Sequence, residues 1–375
     1  MMKRIDYFIP TRIVFGAGRL KELATLSLPG KKALLCVTED KLMEKLGIQQ
    51  RVIELLGQNG VSVAVFDKVT PNPTRTGVMA AAALAKESGC DFVIGLGGGS
   101  SIDTAKAASI MMANPGDLWD YASAGSGGRK PVSGAFPVVA ISTTAGTGTE
   151  ADPYAVVTNE ETNEKLDFTL DEIFPAISII DPELMLTLPH KLTLFQGFDA
   201  LFHASECYVN NGNENRLTEL FAVDAIEKVA KHLPIVSEDG SNLESRSNIS
   251  YAANILCGFT QSLVCTTSHH IIAQALGGFF PNVPHGASLL LIADAYYKKV
   301  CSLLPTEFDG YAFVTALAKL MERTGMDKLA MSDFNINKDD LPKVAHIAAA
   351  EVGFECDRYT VTEADVVEIL MQSYK

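Results

Sequence analysis

The stretch DFVIGLGGGSSIDTAK, residues 91–106, sets the frame for everything around it. Residues 92–96 are an apolar, partly β-branched run with the length of a buried strand. They lead into Gly97, Gly98 and Gly99, and Ser100 then stands where it would cap a helix carrying Asp103 and Lys106. Backbone N–H groups at a helix start, with no side chains in the way, can hold a phosphate. The spacing departs from GxGxxG and follows the third strand of its unit, and a tight strand-to-helix turn without a ligand would account for the same letters.

Outward from this turn, strand-like runs at 33–37, 61–66, 137–141 and 177–180 alternate with apolar residues at helical spacing over 41–57 and 78–87. Gly60 and Gly89 fall just past the helix ends. This alternation predicts βαβ units and a doubly wound, mostly parallel sheet, a Rossmann-like α/β domain over residues 1–185. Residues 154–157 and 166–168, joined by NEETNEK, read as an inserted hairpin. After Pro189 the strand signal stops, and helical periodicity starts near Leu192, Arg216, Leu243, Leu263, Ala287, Tyr311, Leu341 and Thr362. An all-α domain over 186–375 is expected, with a ligand cleft between the two.

Composition narrows the partners. Apolar residues make up 47% of the 375-residue chain and charged residues 20%, which fits a globular protein and excludes a disordered or collagen-like one. A formal charge of −14 lacks the footprint of a nucleic-acid binder, so a small molecule is the expected partner. No apolar run reaches the roughly 18 residues a membrane span needs. The opening MMKRIDYFIPTRIVFG has neither the apolar stretch nor the cleavage site of a signal peptide, so a cytoplasmic protein is expected. The seven cysteines (Cys36, Cys90, Cys207, Cys257, Cys265, Cys301, Cys356) are scattered without a CxxC pair, and all are expected to be reduced.

A second turn, ISTTAGTGTE at 141–150, follows another strand and offers Thr143, Thr144 and Thr147. Two small-residue turns at the C-terminal ends of parallel strands fit a dinucleotide better than either alone. Glu39, at the end of an earlier strand, could bond the ribose of NAD and repel the extra phosphate of NADP; a solvated Glu or a helix cap at Asp40 explains the letters as well.

In the second half, GFDALFHASE puts Asp199 and His203 four apart, on one helix face. SHHIIAQALGGFFPNVPHG adds His269, His270 and His285. Neighbours on a helix point about 100° apart, so only one of His269 and His270 is expected in a shared site. One carboxylate and imidazoles without thiolate suit Fe(II), with Zn(II) as the alternative. Such an ion lowers the pKa of an alcohol and polarises a carbonyl, so beside a dinucleotide it points to alcohol and aldehyde redox.

Taken together, PNPT (71–74), GGGSSIDTAK (97–106), TTAGTGTE (143–150), DPELMLTLP (181–189), GFDALFH (197–203) and the span from His270 to PHG (284–286) resemble the iron-containing (group III) alcohol dehydrogenases, in that family's order and over nearly the whole chain. The resemblance implies the dehydroquinate synthase-like architecture and NAD as cofactor, with NADP possible. It also implies metal ligands at Asp199, His203, His270 and His285, and cofactor contacts at Glu39, Asn72, Gly98, Gly99, Ser100, Asp103, Thr143, Thr144, Thr147 and Lys165. A short primary alcohol or aldehyde is the implied substrate, and a homodimer or larger homo-oligomer the implied assembly.

Some residues depart from the pattern. Many relatives carry HxxxH, whose second His lies near substrate; here that place is Gln274, which cannot act as an acid or base at neutral pH, so proton transfer is left to water, ribose hydroxyls or another residue. The link to PHG is one residue longer than in some relatives, with Pro281 in it. Phe198, Phe279 and Phe280 could form an apolar substrate wall or belong to the core. Competing readings are a glycerol or polyol dehydrogenase, a maleylacetate reductase, a dehydroquinate synthase-like lyase, and an idle binding protein on the same scaffold. The intact ligand quartet counts against the maleylacetate reductases and the idle protein; the absence of a Lys/Arg cluster counts against the lyase.

Overall fold

The computed structural model describes residues 7–209, 216–304, 310–350 and 354–375. Its eight strands are β1 (Arg12–Phe15), β2 (Lys32–Thr38), β3 (Ser62–Val69), β4 (Phe92–Gly97), β5 (Val138–Ser142), β6 (Tyr154–Asn159), β7 (Glu164–Thr169) and β8 (Ile177–Ile180). Six of them form one parallel sheet in the order β1-β8-β5-β4-β2-β3, while β6 and β7 pair as an antiparallel hairpin. The winding reverses between β2 and β4, and ligands of such sheets bind beyond the strand ends at a reversal of this kind.

Both faces of the sheet are covered, which is why its central strands β4, β5 and β8 are buried and almost entirely apolar rather than alternating. Leu34, Cys36 and Val93 pack with Val78, Ala81 and Ala85 of α3 (Arg75–Ser88, following α1, Leu42–Lys45, and α2, Ile48–Gln58) and with α4 (Gly99–Ala113). Ala33, Leu35, Val37, Phe92 and Ile94 point the other way, onto Leu20, Leu23 and Val52 and Leu56 of α2. Two differences from the sequence expectation are local. The strand β1 is only four residues long and lies outside the predicted set; it gains its place by pairing with β8. Ser100 is not a cap: α4 starts at Gly99 after Gly98, whose missing side chain leaves the first N–H groups free of any side-chain cap.

Beyond Pro182 the described residues are helical: α5 (His190–Val209), α6 (Arg216–Glu238), α7 (Leu243–Ser250), a π-helical stretch (Tyr251–Cys257), α8 (Gly258–Leu263), α9 (Ser268–Phe279), α10 (His285–Leu303), α11 (Gly310–Thr324), α12 (Leu341–Ala350) and α13 (Glu363–Ser373). They share one core, which includes Phe198, Phe202, Ile272, Leu290 and Tyr297. The helix expected to start near Leu263 instead ends there, and an extended break precedes α9. In that break the expectation of seven reduced cysteines fails, because Cys265 is disulfide-bonded to Cys356. The two lie 91 residues apart in sequence, and only the tertiary fold brings them together. Among the described residues, no helix is long and apolar enough to cross a membrane.

Candidate functional site

A cavity of about 370 Å³ lies between the sheet's C-terminal edge and the helices. Its sheet-side wall includes Asn72, Gly99, Ser100, Asp103, Thr147 and Lys165, and its helix-side wall His203, His270, His285, Gln274 and Ile271.

The sheet-side wall is shaped by the absence of side chains. A Cβ at Gly98 would lie 2.9 Å from Thr144 Cγ2, and one at Gly99 would lie 2.8 Å from Thr147 Cγ2, both too close for real atoms. The glycines therefore let the turn after β4 press against the turn after β5 and leave the start of α4 open toward the cavity. Thr143 N–H donates to Gly97 O at 2.9 Å, stitching the turns together. The next turn of α4 is fixed from behind. Lys106, fully buried, donates to Thr149 Oγ1 (2.8 Å), Asp152 Oδ1 (3.0 Å) and the carbonyls of Asp152 and Tyr154 (both 2.8 Å). Four partners offset the cost of burying its charge. Asp103 accepts from Thr149 Oγ1 and Val156 N–H, and burial raises its pKa to about 6 despite nearby Lys106. Both Asp103 oxygens are thus engaged, one by the turn after β5 and one by β6. Lys165 Nζ donates to Asn72 Oδ1 at 2.9 Å across the cavity rim. Gly98, Thr143 and Thr144 form the turns behind this wall, and Glu39 lies exposed just past β2, where Asp40 accepts from Leu42 N–H.

The helix-side wall is made by side chains. Asp199 and His203 stand one turn apart on α5, with His203 Nδ1 3.4 Å from Asp199 Oδ1. His270 of α9 brings Nε2 to 3.4 Å from the same oxygen, and His285, the first residue of α10, brings Nε2 to 3.7 Å. Ligand atoms of Asp199, His203 and His270 all lie within 4.8 Å of one another. His269 points away, 3.1 Å from Leu289 O and stacked on Tyr296, as the 100° step requires.

Electrostatics favour a cation at this wall. Burial works against charge on Asp199, yet three surrounding imidazoles hold it well below the usual carboxylate range. Burial lowers His203 to about 4 and His285 to about 3, which keeps both neutral with a lone pair to offer. Burial also opposes charge on His270, but Glu206 and Asp199 outweigh it and raise its pKa to about 9. A divalent ion fits this set of one carboxylate and three imidazoles.

Glu206 was missed in the sequence, although Asp199, His203 and Glu206 follow the helical period on α5. It is fully buried and takes His270 Nδ1 at 2.5 Å, Thr267 N–H at 2.8 Å and Thr267 Oγ1 at 2.9 Å. Its bond to Nδ1 turns Nε2 of His270 toward Asp199. Of the two places the sequence left open for Phe198, Phe279 and Phe280, the fold takes the core. Phe198 is fully buried against Phe202, and Phe279 and Phe280 pack on the helical core; none of the three is in the cavity wall, where Ile271 and Val156 supply the apolar surface.

Comparison with known proteins places this arrangement. Residues 10–182 match the model of iron-containing alcohol dehydrogenases, and residues 193–374 the model of the C-terminal part of the Fe-containing alcohol dehydrogenase family. The NAD-dependent methanol dehydrogenase of Bacillus methanolicus is 32% identical over 383 residues, covering 97% of this chain and 98% of that enzyme. The 1,3-propanediol dehydrogenase of Klebsiella pneumoniae is 30% identical and covers 99% of both. Among solved structures, an archaeal halo-thermophilic Red Sea brine pool alcohol dehydrogenase superposes with a TM-score of 0.93 at 29% identity, over 100% of both chains.

Proposed function

The chain belongs to the iron-containing alcohol dehydrogenase family, and on that premise we propose that it transfers a hydride between NAD(H) and a short primary alcohol or aldehyde. The observation that carries this reading is a single cavity joining the open start of α4 to the cluster of Asp199, His203, His270 and His285. In this reading those four hold the ion, Fe(II) rather than Zn(II), as in the family. An ion there supplies Lewis acidity toward the alcohol or carbonyl oxygen.

The chain's own residues do the rest. N–H groups of Gly99 and Ser100 hold the pyrophosphate, with Gly98, Thr143, Thr144 and Thr147 shaping the turns that support it. Asn72 and Lys165 close over the cofactor from the rim, and Asp103 anchors the first turn of α4. Glu39 selects NAD over NADP by its charge beside the ribose. Gln274 and Ile271 face the substrate, the amide orienting it by hydrogen bonds without exchanging a proton. The division into a cofactor-binding part and a helical, metal- and substrate-binding part falls near residue 185. Edge strand β1, paired on one side only among the described residues, leaves a sheet edge for assembly as a homo-oligomer.

The test is anaerobic NADH oxidation with propanal or butanal, on protein stripped by chelator and on the same protein given Fe(II) or Zn(II), with NADPH alongside. Turnover that vanishes on stripping, returns best with Fe(II) and prefers NADH is expected. Metal-independent turnover, or none with any small aldehyde, would sink the reading in favour of a polyol or acid substrate.

A further inference from the structure

The Cys265–Cys356 disulfide lies in the wall of this cavity, beside Thr266 and in the company of His270 and Gln274, and nothing in the chemistry above uses it. Both cysteines are only half-buried. The buried cysteines differ: burial holds the thiols of Cys36, Cys207 and Cys257 protonated and unreactive. The pair at 265 and 356 is reachable by a molecule small enough to enter the cavity.

Its position gives it leverage. Cys265 sits in the extended break ahead of α9, the helix that carries His270 and Gln274. Cys356 ends the short turn Phe354–Cys356. The residue after it, Asp357, accepts from Ser268 N–H at 3.1 Å. Tyr359 bonds Tyr296 at 2.5 Å, and Tyr296 in turn meets Thr267 and Ser268, each at 3.1 Å. The disulfide is thus the covalent member of a clasp that holds residues 354–359 against the start of α9. Without it, two thiols must stand back to van der Waals separation, roughly 4 Å, and the wall must yield.

We infer that Cys265 and Cys356 form a thiol–disulfide exchange site in the cavity wall, taking small dithiol reductants and thiol oxidants, whose state sets the chain length of substrate the cavity accepts. A dithiol's thiolate attacks one sulfur and breaks the Cys265–Cys356 bond to give a mixed disulfide. The second thiol then closes the reagent into its own disulfide. Two electrons and two protons end on the cysteines, and one oxidised dithiol leaves. A diazene oxidant such as diamide reverses this, taking the two hydrogens as it becomes a hydrazine. The kinetic consequence rests on the cavity being the aldehyde site proposed above; the exchange does not.

The experiment uses the full chain, treated anaerobically with dithiothreitol or with diamide, freed of reagent and reloaded with Fe(II). Free thiols are counted after unfolding, and kcat/KM is measured for propanal and hexanal. The oxidised protein should show five thiols, matching the five cysteines outside the pair, and the reduced protein all seven. The hexanal-to-propanal ratio should rise about tenfold on reduction, a shift of roughly 1.4 kcal/mol. The double variant Cys265→Ser/Cys356→Ser should match the reduced wild type and ignore both reagents, which separates the disulfide from any loss of metal to the dithiol. Seven thiols after diamide, or five after dithiothreitol, would overturn the exchange site. A thiol count that switches while the ratio stays constant would overturn its control of substrate length. Absence of turnover in every sample would count against the proposed function, with the thiol count still deciding the exchange.

Discussion

The cavity's two ends are made of different materials. At the sheet end, what faces a ligand is backbone, opened by Gly98 and Gly99 and braced by threonines behind them. At the helix end it is side chains, Asp199 and three histidines borne by α5, α9 and α10 and steered by Glu206. A backbone site is spoiled by adding atoms, whereas a side-chain site is spoiled by removing them. The two ends should therefore fail separately, each leaving the other's ligand bound.

The sharpest break should come from His203→Ala: the protein loses its ion by elemental analysis and turnover falls roughly a thousandfold, while NADH affinity by fluorescence titration stays within about twofold. Loss of both ligands together would show that the ends are one cooperative unit. Between them, at the close of the turn after β5, Glu150 is fully buried, and burial raises its pKa to about 7. Below the ordinary glutamate pKa the carboxyl is protonated both folded and unfolded, so stability is fully present there. It is lost as pH rises through about 7, by about 3 kcal/mol at pH 8. Urea midpoints at pH 5 and pH 8 should show this slope, and Glu150→Gln should reduce it, with Asp357, which burial likewise raises to about 7, keeping part of the remainder.

Smaller effects sharpen the contrast. Glu206→Gln should weaken metal affinity in chelator competition by about 10- to 100-fold and leave NADH binding alone, with Glu206→Asp recovering part of the loss. Gly99→Ala should do the reverse. The added Cβ, 2.8 Å from Thr147, forces the turn to shift. NADH should bind about tenfold more weakly, near 1.4 kcal/mol, at unchanged metal content. Glu39→Ala should move the NADPH-to-NADH ratio of kcat/KM up by roughly fivefold; an unmoved ratio would leave Glu39 as a solvated surface residue.

How much of this could be read in the sequence follows from how local each feature is. The pairing of Asp199 with His203 follows from the helical period alone; the same period says that one of His269 and His270 belongs to the site, and the resemblance singles out His270. The parallel sheet is legible because its central strands are near-continuous apolar runs. Glu206 obeys the same period, but nothing chemical in the sequence separates it from an ordinary helical glutamate until Thr267 and His270 are brought to it. His285 belongs with the cluster only once α10 is packed, and in sequence its place rested on the PHG resemblance. The break before α9 and the disulfide were hidden for one reason: their cause is a segment 91 residues away. The short β1 carries too few residues to show a pattern.

Asn254, in the π-helical stretch, donates to Ser142 Oγ at 3.1 Å and Thr144 O at 2.9 Å. Gln261 likewise reaches Thr147 O at 3.0 Å and Ser262 reaches Ala151 O at 2.9 Å. Chimeras that join the first half of one relative to the second half of another would draw the two sides of every one of these ties from different parents. The module that can be exchanged intact is discontinuous, the turn from 142 to 151 travelling with residues 254–262. Shuffling experiments that respect that pairing should keep active hybrids where a single crossover near residue 185 does not.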